Sequence, residues 1–382
     1  MPFQPRCGSI NPKQKAVRRQ TPKRQTTIHQ TTKHRIMSIL LIARQRDMQP
    51  YKEEILKLDP NAEVEIWPDV AHRERVTFAV AWKHPEGVLD RYPNLKAVSS
   101  LGAGVEHLLR DESIPDGVIL TRIVPPSLIS DMSDYLVSAL LNLVNHTYEF
   151  ADNQRRAVWE PLLAVPKRSL TVGVMGLGEI GRQCALDIAR MGFPVVGLSR
   201  TKKEIEGVET FSMSTWEKGD GEWGDGERGD VRQGEGLHGD QGDSLEENAH
   251  VDGLDAFLAR TNVLVSLLPL TDQTRDIMDL EVFKKLRKPA YVINVGRGLQ
   301  LVDEDLIYAL HAGVLEGAVL DVFREEPLPE SHPFWSNRKV VVTPHIASVS
   351  DPAETAAILL DHYKRVMSGM VPGVVVSEER GY

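Results

Sequence analysis

The sequence predicts an α/β protein that contains a Rossmann-type dinucleotide-binding domain. Short apolar segments typical of strands alternate with helix-like segments along most of the chain, which is the pattern of parallel sheets covered by helices. One strand-like segment, 170–175, runs directly into Gly176-x-Gly178-x-x-Gly181 and then into a helix-like segment. The 382 residues, 41% of them hydrophobic, are enough for about two domains.

Composition and charge narrow the class of protein. The net charge is −9, yet residues 1–36 contain nine Lys and Arg and no acidic residue, so the rest of the chain is more acidic still. An acidic body argues against nucleic-acid binding, and the apolar runs are too short to span a membrane. Two cysteines, Cys7 and Cys184, permit neither a disulfide framework nor a zinc site of the usual spacing, which favours the reducing cytoplasm.

Residues 1–36 are predicted to form a disordered basic leader. They are rich in Gln, Thr, Lys and Arg, and they lack the hydrophobic core of a secretory signal. Met37 stands directly before the first strand-like segment and is a candidate start. A transit peptide is the alternative interpretation of this leader.

The first part of the globular chain is predicted to be a parallel sheet with helices. A long helix, 130–159, then leads toward the glycine turn, because Leu136, Leu140, Leu143 and Val144 recur at helical spacing. The predicted strands are 39–43, 62–67, 77–82, 96–99 and 118–122, and the predicted helices are 51–58, 87–92 and 105–110.

The glycine turn is the most specific local pattern. One glycine makes the tight turn, one lets the backbone approach a pyrophosphate, and one lets the helix pack closely on the strand. The following helix, 182–191, offers free N–H groups at its N-terminus. We therefore predict that Gly176, Gly178, Glu179, Ile180 and Gly181 bind a dinucleotide, with a glycine-rich turn without a ligand as the alternative.

The end of the next strand predicts which dinucleotide binds. A strand over 193–198 is followed by Ser199-Arg200-Thr201, where an acidic residue usually binds the ribose 2′-hydroxyl. A carboxylate would repel a 2′-phosphate, whereas Arg200 can bind one. NADP(H) is therefore predicted in preference to NAD(H), and an ordinary basic surface turn is the alternative.

Residues 217–250 interrupt the α/β pattern. They are rich in glycine, and their acidic residues outnumber their basic residues eleven to three. The Asp-Gly repeats invite a calcium-binding interpretation, but the ligand spacing of an EF-hand loop is not met. A flexible acidic insertion is predicted.

Three chemically versatile residues follow successive strands after this insertion. In open parallel sheets ligands gather beyond the carboxyl ends of the strands, where Arg297, Glu326, His345 and the preceding Pro269 are placed. The predicted strands are 263–268, 291–295, 317–322 and 340–343, with helices near 255–261, 283–286 and 305–312.

Together these residues suit hydride transfer to a 2-keto acid, although each alone also fits a solvated turn, a charged loop or a satisfied strand-end histidine. The nicotinamide cofactor supplies the hydride. Arg297 would hold the substrate carboxylate and polarise the carbonyl. His345 would give its proton to the carbonyl oxygen, and Glu326 would favour and orient the charged imidazole.

From Met37 to Tyr382 the sequence resembles the D-isomer-specific 2-hydroxyacid dehydrogenases, and within them the bacterial glyoxylate/hydroxypyruvate reductases. The resemblance lies in several segments that occur in the family's order. They are Ser100-Leu101-Gly102-Ala103-Gly104-Val105, the Gly176–Gly181 turn, Ser199-Arg200-Thr201, Asn294-Val295-Gly296-Arg297-Gly298, Asp321-Val322-Phe323, Glu326-Pro327-Leu328-Pro329, Thr343-Pro344-His345 and Arg380-Gly381-Tyr382.

The resemblance implies a role for each matching position. It implies that Arg297 binds substrate, that Glu326 is the partner of the histidine and that His345 donates the proton. Asp321 is similar to the residue that contacts the nicotinamide amide. The substrate-binding positions that it implies are Trp82 and the loop of Gly102, Ala103, Gly104 and Val105.

The resemblance also implies an architecture in which the Rossmann domain is inserted into a flavodoxin-like α/β domain. The substrate domain would be 37–137 plus 346–382, the NADP-binding domain 138–345, and the assembly a homodimer. Two other functions stay open: another D-2-hydroxyacid dehydrogenase, of the D-lactate or phosphoglycerate type, and a non-catalytic NAD(P)-sensing protein similar to the corepressors of this fold.

Overall fold

The structure is a computed structural model that describes residues 37–44, 46–213, 253–377 and 381. The predicted leader, 1–36, and the predicted acidic insertion, 217–250, lie outside the described residues. The described part contains two parallel sheets with helices packed on them, which confirms the predicted α/β class.

The first sheet has five parallel strands in the order β2-β1-β3-β4-β5. Both β1 and β3 are buried along almost their whole length, as expected for strands with helices on both faces. Each of the five lies within one residue of its predicted bounds. They are β1 (Ser38–Ala43), β2 (Glu63–Ile66), β3 (Val76–Trp82), β4 (Ala97–Ser100) and β5 (Ile119–Thr121).

The second sheet has seven parallel strands in the order β12-β11-β10-β9-β6-β7-β8. The chain starts in the middle and builds outward in both directions, so the strand order reverses beside β6, where open α/β sheets bind ligands. The strands are β6 (Val172–Met175), β7 (Val195–Ser199), β8 (Glu209–Ser212), β9 (Val263–Ser266), β10 (Tyr291–Asn294), β11 (Gly317–Leu320) and β12 (Val340–Val342).

Helices pack on both sheets in the described part of the chain. None of these helices is long and apolar enough to cross a membrane. They are α1 (Gln49–Leu58), α2 (Glu106–Leu109), α3 (Pro126–Val144), α4 (Thr147–Arg155), α5 (Glu179–Arg190), α6 (Gly253–Arg260), α7 (Leu280–Lys285), α8 (Asp303–His311) and α9 (Pro352–Met367).

Two local predictions were wrong, and one strand was missed. The helix predicted over 130–159 is two helices, because His146 has φ +55 and a left-handed residue interrupts the helical hydrogen bonding between α3 and α4. The helix predicted over 87–92 is only the 3₁₀ turn Leu89–Arg91. Strand β8 was not predicted, because its sequence, Glu-Thr-Phe-Ser, is short and polar and lies at the sheet edge.

The last helix returns to the first sheet. Leu359 and Leu360 of α9 are buried in the same apolar cluster as Ile39 of β1 and Ile55 of α1. Helix α3 instead packs on α5 of the second sheet, where Leu136 and Cys184 share a cluster. Cys184 is fully buried at this contact.

The glycine turn between β6 and α5 is a close backbone contact. Gly176 has φ +99, a conformation that favours glycine. A Cβ added to Gly181 would lie 1.8 Å from the carbonyl oxygen of Gly176, whereas one added to Gly178 would meet nothing within 4 Å. Helix α5 therefore approaches the turn closely only because residue 181 lacks a side chain.

We expect Gly181→Ala to lower the free energy of unfolding by about 1–3 kcal/mol, because the added methyl group must push backbone apart. Gly178→Ala is the matched control, with an expected cost below about 1 kcal/mol, since its Cβ enters open space. Urea unfolding without cofactor measures both. Equal stability of the two variants would contradict this account of the turn.

Candidate active site

The predicted site residues gather at one edge of the second sheet. Because its strands are parallel, their carboxyl ends lie on the same side, and the loops that follow them share that side. Gly176–Gly181 follows β6, Ser199–Thr201 follows β7 and Pro269 follows β9. The remaining three residues, Arg297, Glu326 and His345, follow β10, β11 and β12.

The glycine turn leaves an open helix N-terminus at this edge. Gly178 is the N-cap residue of α5 and is exposed, and no side chain caps the helix there. Glu179 is exposed in the first turn, Ile180 is half-buried and Gly181 is buried. Uncapped N–H groups at an exposed glycine provide the space and the donors that a phosphate group requires, so these residues fit a dinucleotide.

The loops after β7 and β9 lie on opposite sides of β6. The hydroxyl group of Ser199 donates a hydrogen bond to the carbonyl oxygen of Thr201 (2.7 Å), which fixes this turn while Arg200 stays exposed. The carbonyl oxygen of Pro269 accepts hydrogen bonds from Thr274 Oγ1 (2.6 Å) and Gln300 Nε2 (3.0 Å). Both turns are thus held by hydrogen bonds within the protein.

Arg297 points its guanidinium toward the first sheet. Its Nε donates to Glu106 Oε1 at 2.7 Å, and its Nη1 donates to the carbonyl oxygen of Gly296 at 2.8 Å. Its Nη2 lies against Gly104, only 1.5 Å from where a Cβ of residue 104 would be, so a side chain there would displace the guanidinium. Burial would raise the pKa of Glu106, but the charge and hydrogen bond of Arg297 lower it to about 2.

Gln300 fixes the backbone of Arg297 through a hydrogen bond. Its side chain is fully buried, and its Oε1 accepts hydrogen bonds from the backbone N–H of Arg297 (3.1 Å) and from Ser266 Oγ (3.1 Å). Its Nε2 donates to the carbonyl oxygens of Leu268 and Pro269, both at 3.0 Å. One amide thus fastens the end of β9 to the loop after β10.

His345 and Glu326 form a hydrogen-bonded pair. His345 Nδ1 and Glu326 Oε2 are 2.8 Å apart, and Glu326 Oε1 accepts a hydrogen bond from the backbone N–H of Phe323 (3.1 Å). His345 has φ +55, and its N–H donates to the carbonyl oxygen of Asp321 (2.9 Å). The contact with Glu326 engages Nδ1, so the other ring nitrogen, Nε2, faces away from that carboxylate.

A lysine from the first sheet shares the same carboxylate. Lys83 follows β3, and its Nζ donates to Glu326 Oε2 at 2.9 Å. Burial would raise the pKa of Glu326, but the hydrogen bonds and charges of His345 and Lys83 lower it to about 2. Glu326 is therefore ionised over the whole physiological pH range.

Asp321 supports the loop that carries His345. Its carboxylate is 1% exposed, and it accepts hydrogen bonds from Thr343 Oγ1 (2.6 Å) and from the backbone N–H groups of Ile346 (2.8 Å) and Ala347 (2.9 Å). Thr343 in turn bonds to the hydroxyl group of Tyr135 on α3 (2.6 Å). The predicted contact of Asp321 with the cofactor stays a prediction.

The predicted substrate loop lies across from Arg297, on the first sheet. Ser100 Oγ donates to the carbonyl oxygen of Gly104 (2.6 Å), and Ala103 lies between the two loop glycines. The ring of Trp82 covers Gly102, with a ring carbon 3.2 Å from where a Cβ would be. Val105 is buried and anchors the start of α2.

Sequence reasoning missed three residues that contact these side chains: Glu106, Lys83 and Gln300. Glu106 and Lys83 come from the first sheet and touch the second, so no local pattern marks them. Their one signal was position: Glu106 directly follows the predicted substrate loop, and Lys83 directly follows Trp82. Gln300 is a polar residue three positions after Arg297, at a buried position where an apolar side chain would be expected. That exception could have marked it.

Comparisons with known proteins show which family the chain is similar to. Residues 137–218 and 237–347 match the family profile of the D-isomer specific 2-hydroxyacid dehydrogenase NAD-binding domain. The chain is 32% identical, over 328 residues, to glyoxylate/hydroxypyruvate reductase A of Yersinia enterocolitica, covering 85% of this chain and 93% of that one.

Solved structures give the same result. A D-isomer specific 2-hydroxyacid dehydrogenase from Xanthobacter autotrophicus, in complex with NADPH and MES, is 32% identical with a TM-score of 0.77, covering 91% of this chain and 99% of that one. An NADPH-dependent glyoxylate/hydroxypyruvate reductase from Sinorhizobium meliloti, in complex with NADP and sulfate, is 33% identical with a TM-score of 0.75, covering 90% and 100%. The chain therefore belongs to the D-isomer specific 2-hydroxyacid dehydrogenase family of oxidoreductases.

Proposed function

We propose that this protein uses NADPH to reduce a small 2-keto acid, such as glyoxylate or hydroxypyruvate, to the D-2-hydroxy acid. The observation that carries the proposal is the pairing of His345 with Glu326 at the sheet edge that also holds Arg297 and the glycine turn. The similar proteins from Yersinia enterocolitica and Sinorhizobium meliloti, both named glyoxylate/hydroxypyruvate reductases, support this substrate class.

Arg297 is the proposed binding group for the substrate carboxylate. Its Nε is engaged by Glu106 and its Nη1 by Gly296, so the guanidinium plane is held against the Gly102–Val105 loop. The backbone of that loop and the Nη2 end of the guanidinium then form two sides of an anion site. The same positive charge stabilises the negative charge that develops on the carbonyl oxygen during reduction.

His345 is the proposed proton donor. Glu326 engages Nδ1, so the second ring nitrogen, Nε2, is the one that delivers a proton to the carbonyl oxygen. Because Glu326 is ionised, it favours the charged imidazolium and fixes its orientation. Trp82 covers Gly102 at the side of the pocket and limits the size of the substrate.

The dinucleotide site is proposed at the glycine turn and at the loops that flank it. NADPH, when bound, supplies the hydride. Strands lie about 4.8 Å apart in a sheet, so the ends of β7 and β10 are roughly 15 Å apart, a span that suits an extended dinucleotide. Arg200 stays exposed after β7, in place of the usual acidic residue, and is the proposed ligand of the 2′-phosphate.

We also propose the division of labour expected from the family, with 37–137 plus 346–382 binding substrate and 138–345 binding the cofactor. The packing of α9 on α1 supports a substrate domain made of two separate segments of the chain.

A cytoplasmic homodimer is proposed as well. The fully exposed Trp159 (99%) and the exposed Leu163 (89%), both after α4, support a covered surface in the assembled protein.

Purified wild-type protein should consume NADPH with glyoxylate or hydroxypyruvate, and His345→Ala should lower kcat by about 10²–10⁴-fold while NADPH affinity stays unchanged. Spectrophotometric rates and a fluorescence titration of NADPH measure the two quantities. His332→Ala is the control, since His332 also faces a carboxylate, Asp303, at 3.4 Å. Wild-type turnover in His345→Ala contradicts the proton-donor role, and NADPH binding without turnover in the wild type indicates a sensor instead.

Arg297→Ala should raise KM for the keto acid and lower kcat together. The expected loss in kcat/KM is at least about 10²-fold, or roughly 3 kcal/mol of transition-state stabilisation. Arg260→Ala, which removes a cation paired with Glu209 on the outer edge of the sheet, is the control. An unchanged kcat/KM in Arg297→Ala would remove this residue from the substrate site.

Arg200→Ala should weaken the selectivity for the phosphorylated cofactor. KM for NADPH is expected to rise about tenfold or more, because a charge-assisted contact to phosphate is lost, while KM for NADH changes little. Arg190→Ala on α5 serves as the control for loss of a surface cation. Steady-state kinetics with both cofactors decide the matter, and equal effects on NADPH and NADH would argue against Arg200 as the phosphate ligand.

A further inference from the structure

The carboxylate of Glu326 has two donors on one oxygen. Oε2 lies 2.8 Å from His345 Nδ1 and 2.9 Å from Lys83 Nζ, while Oε1 accepts the backbone N–H of Phe323. His345 therefore shares the carboxylate of Glu326 with Lys83. Since both nitrogens contact the same oxygen, the lysine ammonium and the imidazole lie within about 6 Å of each other.

The backbone on both sides of Lys83 is held in place. Trp82 before it ends β3 and pairs with Ala43 of β1. His84 after it is buried and lies 2.8 Å from the buried carboxylate of Asp111. Lys83 itself has φ +45, a left-handed conformation that non-glycine residues rarely adopt. The backbone that carries Lys83 is thus held by contacts of the residue before it and of the residue after it.

The positive charges of Lys83 and of the protonated His345 lie beside the same carboxylate and repel each other. Glu326 favours the protonated imidazole, whereas the ammonium of Lys83 repels that same positive charge and takes part of the hydrogen-bonding capacity of Oε2. The carboxylate stays ionised in either case, because its pKa of about 2 lies far below neutral pH. The protonation of His345 is therefore the step that Lys83 affects.

The other titratable groups near His345 and Glu326 do not replace the effect of Lys83 on His345. The carboxylate of Asp321, at the end of β11, is occupied by Thr343, Ile346 and Ala347. Tyr135 on α3 bonds to Thr343, and burial raises its pKa to about 12, so it stays neutral. Arg297, on the loop after β10, has its charge paired with Glu106.

We propose that Lys83 is a positioning residue that shares the Glu326 carboxylate with His345 and thereby sets the upper pH limit of keto-acid reduction. The proposal rests on the proposed function, in which the protonated His345 is the donor. The positive charge of Lys83 opposes a second positive charge on the imidazole and thereby favours release of its proton. It does so from the first sheet, so this adjustment depends on the two sheets being in contact.

The test is the pH profile of kcat/KM for NADPH-dependent glyoxylate reduction, from about pH 6 to about pH 10. In Lys83→Met the repelling cation is gone, so the imidazolium persists to higher pH. The alkaline limb should move upward by about half a pH unit to one unit. Lys83→Arg, which keeps the charge, should restore a profile close to wild type.

Lys364→Met is the matched control. Lys364 is a half-exposed lysine of α9 that pairs with Asp59 at 3.2 Å, so its removal reports the general effect of losing one cation. An unmoved alkaline limb in Lys83→Met, or an equal shift in Lys364→Met, overturns the proposal.

A second readout separates this inference from the proposed function. In protein with selectively ¹³C-labelled histidine, the ring signal of His345 is assigned by its loss in His345→Ala. Its titration midpoint should move to higher pH in Lys83→Met, whatever substrate the enzyme takes. A midpoint shift without glyoxylate reduction contradicts only the proposed substrate. An unmoved midpoint in an active enzyme contradicts only the role of Lys83.

Discussion

The hydrogen bonds of the buried Asp321 carboxylate are the interactions on which the proposed site depends. A charge that is 1% exposed costs free energy unless hydrogen bonds replace its water, and here the donors come from Thr343, Ile346 and Ala347. Meeting that requirement ties the end of β11 to the segment on both sides of His345. The histidine then points at Glu326 because its own backbone is fixed from two sides. Stability and geometry are therefore set by the same hydrogen bonds.

Two ion pairs join the sheets at this edge. The second sheet supplies the cation of one pair and the carboxylate of the other. Arg297 of the second sheet meets Glu106 near the first, and Glu326 of the second meets Lys83 of the first. The Lys83–Glu326 pair is partly exposed and so contributes only about 0–1 kcal/mol to folding. Its importance is positional, since each pair places a charge from one sheet on the reactive side chains of the other. The proposed site lies between these two contacts.

Most of the fold could be predicted because its information is local. Continuous apolar runs mark the buried parallel strands, and the glycine turn can be recognised from spacing alone. Arg297, Glu326 and His345 could be proposed because parallel strands end at one edge. The left-handed His146, the polar edge strand β8 and the contacts of Lys83 and Glu106 could not, because each depends on packing or on residues far apart in the chain.

Two residues at this edge, Lys83 and His345, hold backbone conformations that glycine adopts more easily, with φ of +45 and +55. Such strain costs on the order of 1–3 kcal/mol at each position, and the contacts of the neighbouring residues hold the backbone at both. Replacing either residue with glycine would relieve this strain, but it would also remove a side chain that contacts Glu326. At these two residues of the proposed site, a search for heat-resistant variants therefore conflicts with the proposed activity, and screens for one property need to monitor the other.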